Sequence, residues 1–125
     1  MRDLMYKAEK YASRISFDDD VHETAQVTDV SDLIKFVRDA LCHPDSDNHY
    51  IEAGNIKSTF NVAFGKVNVM KIGDFEQASK YQDDICFFFG SHGIYMRRHI
   101  VRAFEEAKAK LVPLLNANNK MQPTP

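Results

Sequence analysis

The chain has 125 residues, of which 44% are hydrophobic, and a formal net charge of −2 at pH 7. This length predicts one domain with a core of its own, and the slightly acidic balance argues against binding nucleic acid by bulk electrostatics. Two cysteines are too few for a disulfide scaffold and fit a reducing compartment. The N-terminus lacks the apolar run of a signal peptide, and no segment approaches the roughly 20 apolar residues that span a bilayer. We therefore expect a cytoplasmic protein without a membrane partner.

The first half of the chain is predicted to be helical. Apolar residues recur at helical spacing and predict a first helix over residues 3–15, followed by a polar loop. Thr28 or Asp29 is suited to cap a second helix. That helix should stop near Cys42, because Pro44 disfavours the α conformation in the residue before it.

In the second half of the chain the spacing of apolar residues first becomes that of strands and then returns to that of helices. Apolar and polar residues alternate on both sides of Gly65-Lys66, which predicts a β-hairpin at about 58–72 with these two residues as its turn. Apolar residues at the 3.6-residue period then predict a third helix over 74–89. A long last helix follows, with its apolar stripe running from Ile94 to Leu115.

Together these elements predict a mainly α protein, an up-and-down bundle of about four helices with an inserted β-hairpin. Residues 1–116 would form a single domain, and residues 117–125, which are polar and contain prolines, a disordered tail. An isolated hairpin is marginal in water, so its apolar side should pack on the helices or on a second subunit.

The segment Arg38-Asp39-Ala40-Leu41-Cys42-His43 carries the residue types most suited to phosphodiester chemistry. The Arg38 guanidinium is permanently charged and presents a planar fork of donors to phosphate oxygens. His43 can give or take a proton near pH 7. Both stand where a helix ends, although the pair converges only if the chain bends at Cys42-His43. The plainer interpretation is a surface arginine followed by a polar loop histidine.

An arginine, a polar residue and a histidine four to six positions after the arginine, at the end of a helix, resemble the motif of the HEPN superfamily. The resemblance implies an up-and-down helical bundle, in agreement with the predicted elements. It also implies a metal-independent endoribonuclease, a toxin or defence effector that acts as a homodimer with two motifs facing one cleft. Other members are inactive and serve as binding or regulatory modules for a protein partner or a nucleotide. The hairpin is not part of the minimal family pattern.

The resemblance also implies roles for the three residues of the motif. His43 would act on the ribose 2′-hydroxyl, Arg38 would hold the phosphate, and Asp39 would orient one of these two side chains. The product would carry a cyclic phosphate end, because the nucleophile belongs to the RNA. The implied partners are RNA, a second copy of the chain and an antitoxin or regulatory protein, with no cofactor and no metal.

A third hypothesis, from a different class, is a metal-dependent hydrolase. His43, Asp45, Asp47 and His49 alternate in one loop, and Asp18 to Asp20 could supply further oxygen ligands. Turn chemistry alone also produces loops rich in Asp, Ser and Asn.

The most basic part of the chain follows Gly93. This segment could bind RNA through Tyr95, Arg97, Arg98 and Arg102, with the tyrosine stacked on a base. The alternative is the polar face at the start of a helix, balanced by acidic residues one turn later.

Two shorter patterns involve neighbouring residues. Asp83 and Asp84 are neighbours, and adjacent helical positions point about 100° apart, so they do not make a carboxylate dyad. Pairing of one of them with an arginine of the last helix is the better interpretation. The run Phe87-Phe88-Phe89 reads as core, although three consecutive side chains cannot all face inward along a helix.

Overall fold

The computed structural model describes residues 1–43, 60–73 and 75–121 of the chain. Within these residues it contains three α-helices, five short strands and one π-helical segment. In chain order they are α1 (Arg2–Tyr11), α2 (Val30–Cys42), β1 (Asn61–Phe64), β2 (Asn68–Ile72), β3 (Phe75–Ala78), β4 (Ile85–Phe89), β5 (His92–Tyr95), the π-helical segment (Met96–Val101) and α3 (Arg102–Met121).

The second helix has the boundaries that its sequence predicts. The Asp29 carboxylate accepts a hydrogen bond from the backbone N–H of Asp32 at 2.9 Å, as an N-cap does. The helix ends at Cys42, and His43 continues in an extended conformation with φ −130° and ψ 93°. The first helix is shorter than the predicted range 3–15, because it ends at Tyr11.

The predicted pairing of the two arms of a hairpin at 58–72 is wrong. β1 pairs antiparallel with β4, and β2 pairs antiparallel with β3. Gly65 lies between β1 and β2 with φ +75°, and its N–H donates to the carbonyl of Asp84 at 2.9 Å. Val67 pairs with Ser79 instead of with Phe64: its carbonyl accepts from the backbone N–H of Ser79, and its own N–H donates to the Ser79 hydroxyl. The alternating residues on the two sides of Gly65 therefore do form two strands. Each of these strands, however, pairs with a strand farther along the chain and not with the other.

The predicted third helix over 74–89 is also wrong, since this range holds strands β3 and β4. β4 lies in the middle of a three-stranded antiparallel sheet of order β1-β4-β5. Both of its faces are covered: Phe88 lies in one hydrophobic cluster and Phe89 in another. A strand buried on both faces has no period-2 alternation, so its apolar run can be mistaken for part of a helix.

The sheet separates two hydrophobic cores. The larger core lies between the sheet and the three helices, and it takes Phe89 and Ile94 from the sheet. The smaller one lies on the opposite face, where Cys86, Phe88 and Tyr95 pack against Val69 of the β2–β3 hairpin. The fold is thus mixed α/β, with the sheet between a helical layer and a two-stranded hairpin. The expectation of a four-helix bundle is contradicted.

Both ends of the last helix differ from the predicted ones. Residues 92–95 are a strand, and the helical backbone begins only at Met96. Pro113 is accommodated inside α3, which continues to Met121 and so extends into the predicted tail. Residues 122–125 lie outside the described residues. Of the helices that the structure describes, none is long and apolar enough to cross a membrane.

One buried carboxylate joins the sheet to the last helix. Asp84 precedes β4, and its oxygens accept hydrogen bonds from the backbone N–H groups of Ile85, Arg97 and Arg98 at 2.8 to 3.1 Å. The Arg98 guanidinium adds a fourth bond at 3.1 Å. Burial alone would raise the pKa of Asp84, but these donors outweigh it and hold the pKa below its ordinary value. Asp84 therefore caps the start of the last helix from another element of the fold.

We predict that Asp84→Asn destabilises the protein by about 2–3 kcal/mol in urea unfolding at neutral pH, because an NH2 group, which cannot accept, replaces one of the two carboxylate oxygens and faces N–H donors. Asp83→Asn is the matched control, since this side chain is 64% exposed whereas that of Asp84 is fully buried. It should cost less than about 1 kcal/mol. Equal losses in the two variants would contradict the role given to Asp84.

Candidate functional site

Arg38 and Asp39 lie near the C-terminal end of α2, and His43 directly follows that helix. Arg38 is exposed, and its guanidinium approaches the neighbouring Asp39 carboxylate at 3.6 Å, a contact worth little in water. His43 is exposed, and its backbone N–H donates to the carbonyl of Asp39 at 3.0 Å. The chain leaves the helix at His43, which is the bend that the sequence required. The phosphodiester chemistry assigned to Arg38, Asp39 and His43 stays a prediction.

Tyr95, the predicted base-stacking residue, is buried in the smaller core. Its hydroxyl accepts a hydrogen bond from the backbone N–H of Lys80 at 3.0 Å. Its ring contacts Tyr81 and His99, with centroid distances of 5.3 and 5.5 Å. Burial raises the pKa of Tyr95 to about 12. In this position the ring packs on aromatic side chains of the protein itself.

Arg98 is engaged by carboxylates and by an aromatic ring. Its Nη1 lies 3.0 Å from Asp83 and 3.1 Å from Asp84, and its guanidinium carbon lies 3.6 Å from the centroid of Tyr81. The pairing of these aspartates with an arginine near the last helix is thereby confirmed.

Arg102 is neutralised in the same way. It pairs with Asp19 at 3.0 Å and with Glu106, one turn along the helix, at 2.9 Å, and it covers the ring of Phe17. The side chain of Arg97 is exposed. The basic segment is thus balanced by acids from other parts of the chain, and its proposed contact with RNA remains a prediction.

His99 is a titratable residue that the sequence analysis did not single out. It is fully buried, its Nδ1 accepts from the backbone N–H of Tyr95 at 2.9 Å, and its Nε2 lies 2.9 Å from the carbonyl of Asp19. A carbonyl only accepts, so Nε2 carries the proton and the ring is neutral. Burial lowers the pKa of His99. Its position directly after Arg97 and Arg98 gave no sign of this burial.

A metal site does not form among the residues that the structure describes, since no three His, Cys, Asp or Glu side chains there could hold an ion. Of the expected oxygen ligands, Asp19 pairs with Arg102 and Asp20 accepts from the Tyr81 hydroxyl. Asp45, Asp47 and His49 lie outside the described residues, so the prediction of a metal loop there is left as it stands.

An apolar groove lies between α1 and the end of α3. It encloses about 520 Å³ and is lined by Lys7, Tyr11, Leu111, Leu114, Leu115 and Ala117. Tyr11 and Leu115 are each 60% exposed. We call this feature the α1–α3 groove. It was missed in the sequence because an apolar stripe on a helix does not show which of its residues the fold leaves exposed.

Other depressions on the described surface are more polar. One of about 460 Å³ beside α1 and α2 contains the ion pairs of Arg14 with Glu9 and Asp32. Another, of about 480 Å³ between the two sheets, is edged by the exposed side chains of Glu76 and Lys80. The α1–α3 groove therefore stands apart by its apolar lining.

No family model, curated protein or solved structure matches this chain.

We predict that His99 makes the stability of the protein fall on mild acidification. Because the folded-state pKa lies below the ordinary value of 6.5, the stabilisation by neutral His99 is complete above pH 6.5 and is lost as pH falls through the folded-state pKa. A protonated Nδ1 would also meet the Tyr95 N–H, donor against donor. Urea unfolding between pH 7.5 and pH 5 measures this effect.

His99→Gln serves as the comparison. It should cost about 1–3 kcal/mol at pH 7.5, because the Tyr95 N–H loses its acceptor, and it should flatten the acid-side loss of stability. An unchanged pH dependence in this variant would contradict the assignment to His99.

Proposed function

We propose that this protein is a protein-binding module that holds the apolar face of a partner's helix in the α1–α3 groove. The observation that carries this proposal is the exposure of Tyr11, Leu114 and Leu115 around one apolar groove. Concave sites that bind other molecules are lined mostly by apolar and aromatic side chains.

The gain from docking comes from water leaving these side chains. Full burial of a leucine is worth about 1.5–3 kcal/mol, and Leu115 has 60% of its surface still in contact with solvent. Tyr11 adds a large ring with a polar tip, a residue type that is enriched at interfaces. The fold already buries two cores without using these side chains.

The shape of the groove favours a helix as its occupant. The groove lies between two packed helices. Its α3 side presents Leu111, Leu114 and Leu115 at positions i, i+3 and i+4. From Leu111 to Ala117 the helix axis advances about 9 Å, which corresponds to about two turns of a partner helix. An amphipathic helix would insert side chains at i, i+3 or i+4 and i+7.

The ribonuclease hypothesis is the second candidate, and its basis is weaker than the sequence suggested. The resemblance implied an up-and-down bundle, in which two motifs face one cleft, whereas this fold is built around a sheet. The motif at Arg38 to His43 is therefore found without the family architecture that places it in a site. We propose binding without RNA cleavage.

The first test is RNA cleavage by the wild type and by His43→Ala, both with excess chelator. We expect neither protein to cut single-stranded RNA. Cleavage by the wild type alone, with cyclic phosphate ends, would contradict the proposal and support the roles of Arg38 and His43.

The second test measures docking with a dye-labelled model peptide of about 16 residues that has a leucine stripe at helical spacing and glutamine elsewhere. Fluorescence anisotropy should show saturable binding that weakens about tenfold in Leu115→Ser. Leu41→Ser is the matched control, since Leu41 is 63% exposed on another helix. It should bind like the wild type.

Three results would contradict the proposal. The first is the absence of saturable binding below about 1 mM peptide. The second is equal weakening in the two leucine variants, and the third is a dimer of the protein that Leu115→Ser converts to a monomer. In the last case the groove holds a second copy of the chain.

A further inference from the structure

The α1 side of the α1–α3 groove is cationic. Lys7 lines the groove directly. The Lys10 ammonium lies 5.3 Å from the ring centroid of Tyr11, which is also a lining residue, and 5.8 Å from that of Tyr6. These cation–π contacts hold a second positive charge beside the groove.

Nearby carboxylates do not cancel this charge. Glu9, on the same helix, forms an ion pair with Arg14 at 2.9 Å, so its charge is already balanced. Asp3 lies one turn before Lys7, and together with Lys7 and Lys10 it leaves this edge with a net charge of +1. The apolar groove therefore has a positive rim on a protein whose overall charge is −2.

We infer that the partner helix is acidic: its apolar stripe enters the groove, and Asp or Glu side chains beside the stripe face Lys7 and Lys10. This inference rests on the proposed function. Such a helix would match both the lining of the groove and its rim, and a complementary rim contributes mainly to specificity and to the rate of association. An anionic membrane shares the charge, but a flat surface does not enter a furrow between two helices.

The test compares three model peptides with the same leucine stripe and with Glu, Gln or Lys beside it. We expect the Glu peptide to bind about fivefold more tightly than the Gln peptide, and the Lys peptide most weakly. The preference should disappear in Lys7→Gln/Lys10→Gln and at high salt. Lys66→Gln/Lys71→Gln removes the same charge from an exposed turn and from β2, and it should keep the preference.

The outcomes separate this inference from the proposal beneath it. Equal binding of the Glu and Gln peptides, with Leu115→Ser still weakening both, would overturn the acidic partner and leave the groove as the docking site. A preference that persists in Lys7→Gln/Lys10→Gln would also overturn it. Binding of none of the peptides would overturn the proposed function itself. Tight binding to phosphatidylserine vesicles, with no preference among peptides, would replace the helix by a membrane.

Discussion

The buried carboxylate of Asp84 is the interaction on which the arrangement of layers depends. The backbone carbonyl of Asp84 accepts a hydrogen bond from the turn after β1. Its carboxylate accepts hydrogen bonds from the backbone N–H groups at the start of the last helical segment. One residue thus fixes the direction in which α3 leaves the sheet. Since α3 also forms one wall of the α1–α3 groove, the position of that wall depends on a contact far from it along the chain. Charge-assisted bonds in a buried site are strong enough for this purpose.

Local signals in the sequence were sufficient for α2 but insufficient for the sheet. Asp29 and the break before Pro44 act within a few residues, so the boundaries of α2 could be predicted. The partner of β1 is β4, about 20 residues later, and no turn signal specifies such a pairing. Phe88 and Phe89 are buried on opposite faces of the sheet, which removes the alternation that identifies a strand. A helical bundle was predicted because the sequence shows neither the pairing of β1 with β4 nor the strand conformation of β4.

In the candidate sites, too, the sequence predicted local features but not contacts between distant segments. The sequence correctly placed Arg38 and His43 at a helix end, because the cap and the proline are local features. It could not show that Arg102 is paired with Asp19, or that His99 is buried, because those contacts join distant segments. The α1–α3 groove could not be predicted either. An apolar stripe on a helix has the same pattern whether the fold covers it or leaves part of it exposed.

The central claim is that the groove between α1 and the end of α3 is the binding surface of this protein. The most direct measurement is titration of the ¹⁵N-labelled protein with the Glu-flanked peptide, followed by backbone amide NMR shifts. We expect saturable shifts concentrated at Lys7, Tyr11 and residues 111–117, with Arg38 to His43 unaffected. Shifts concentrated at Arg38 to His43, or spread evenly over the chain, would contradict the central claim.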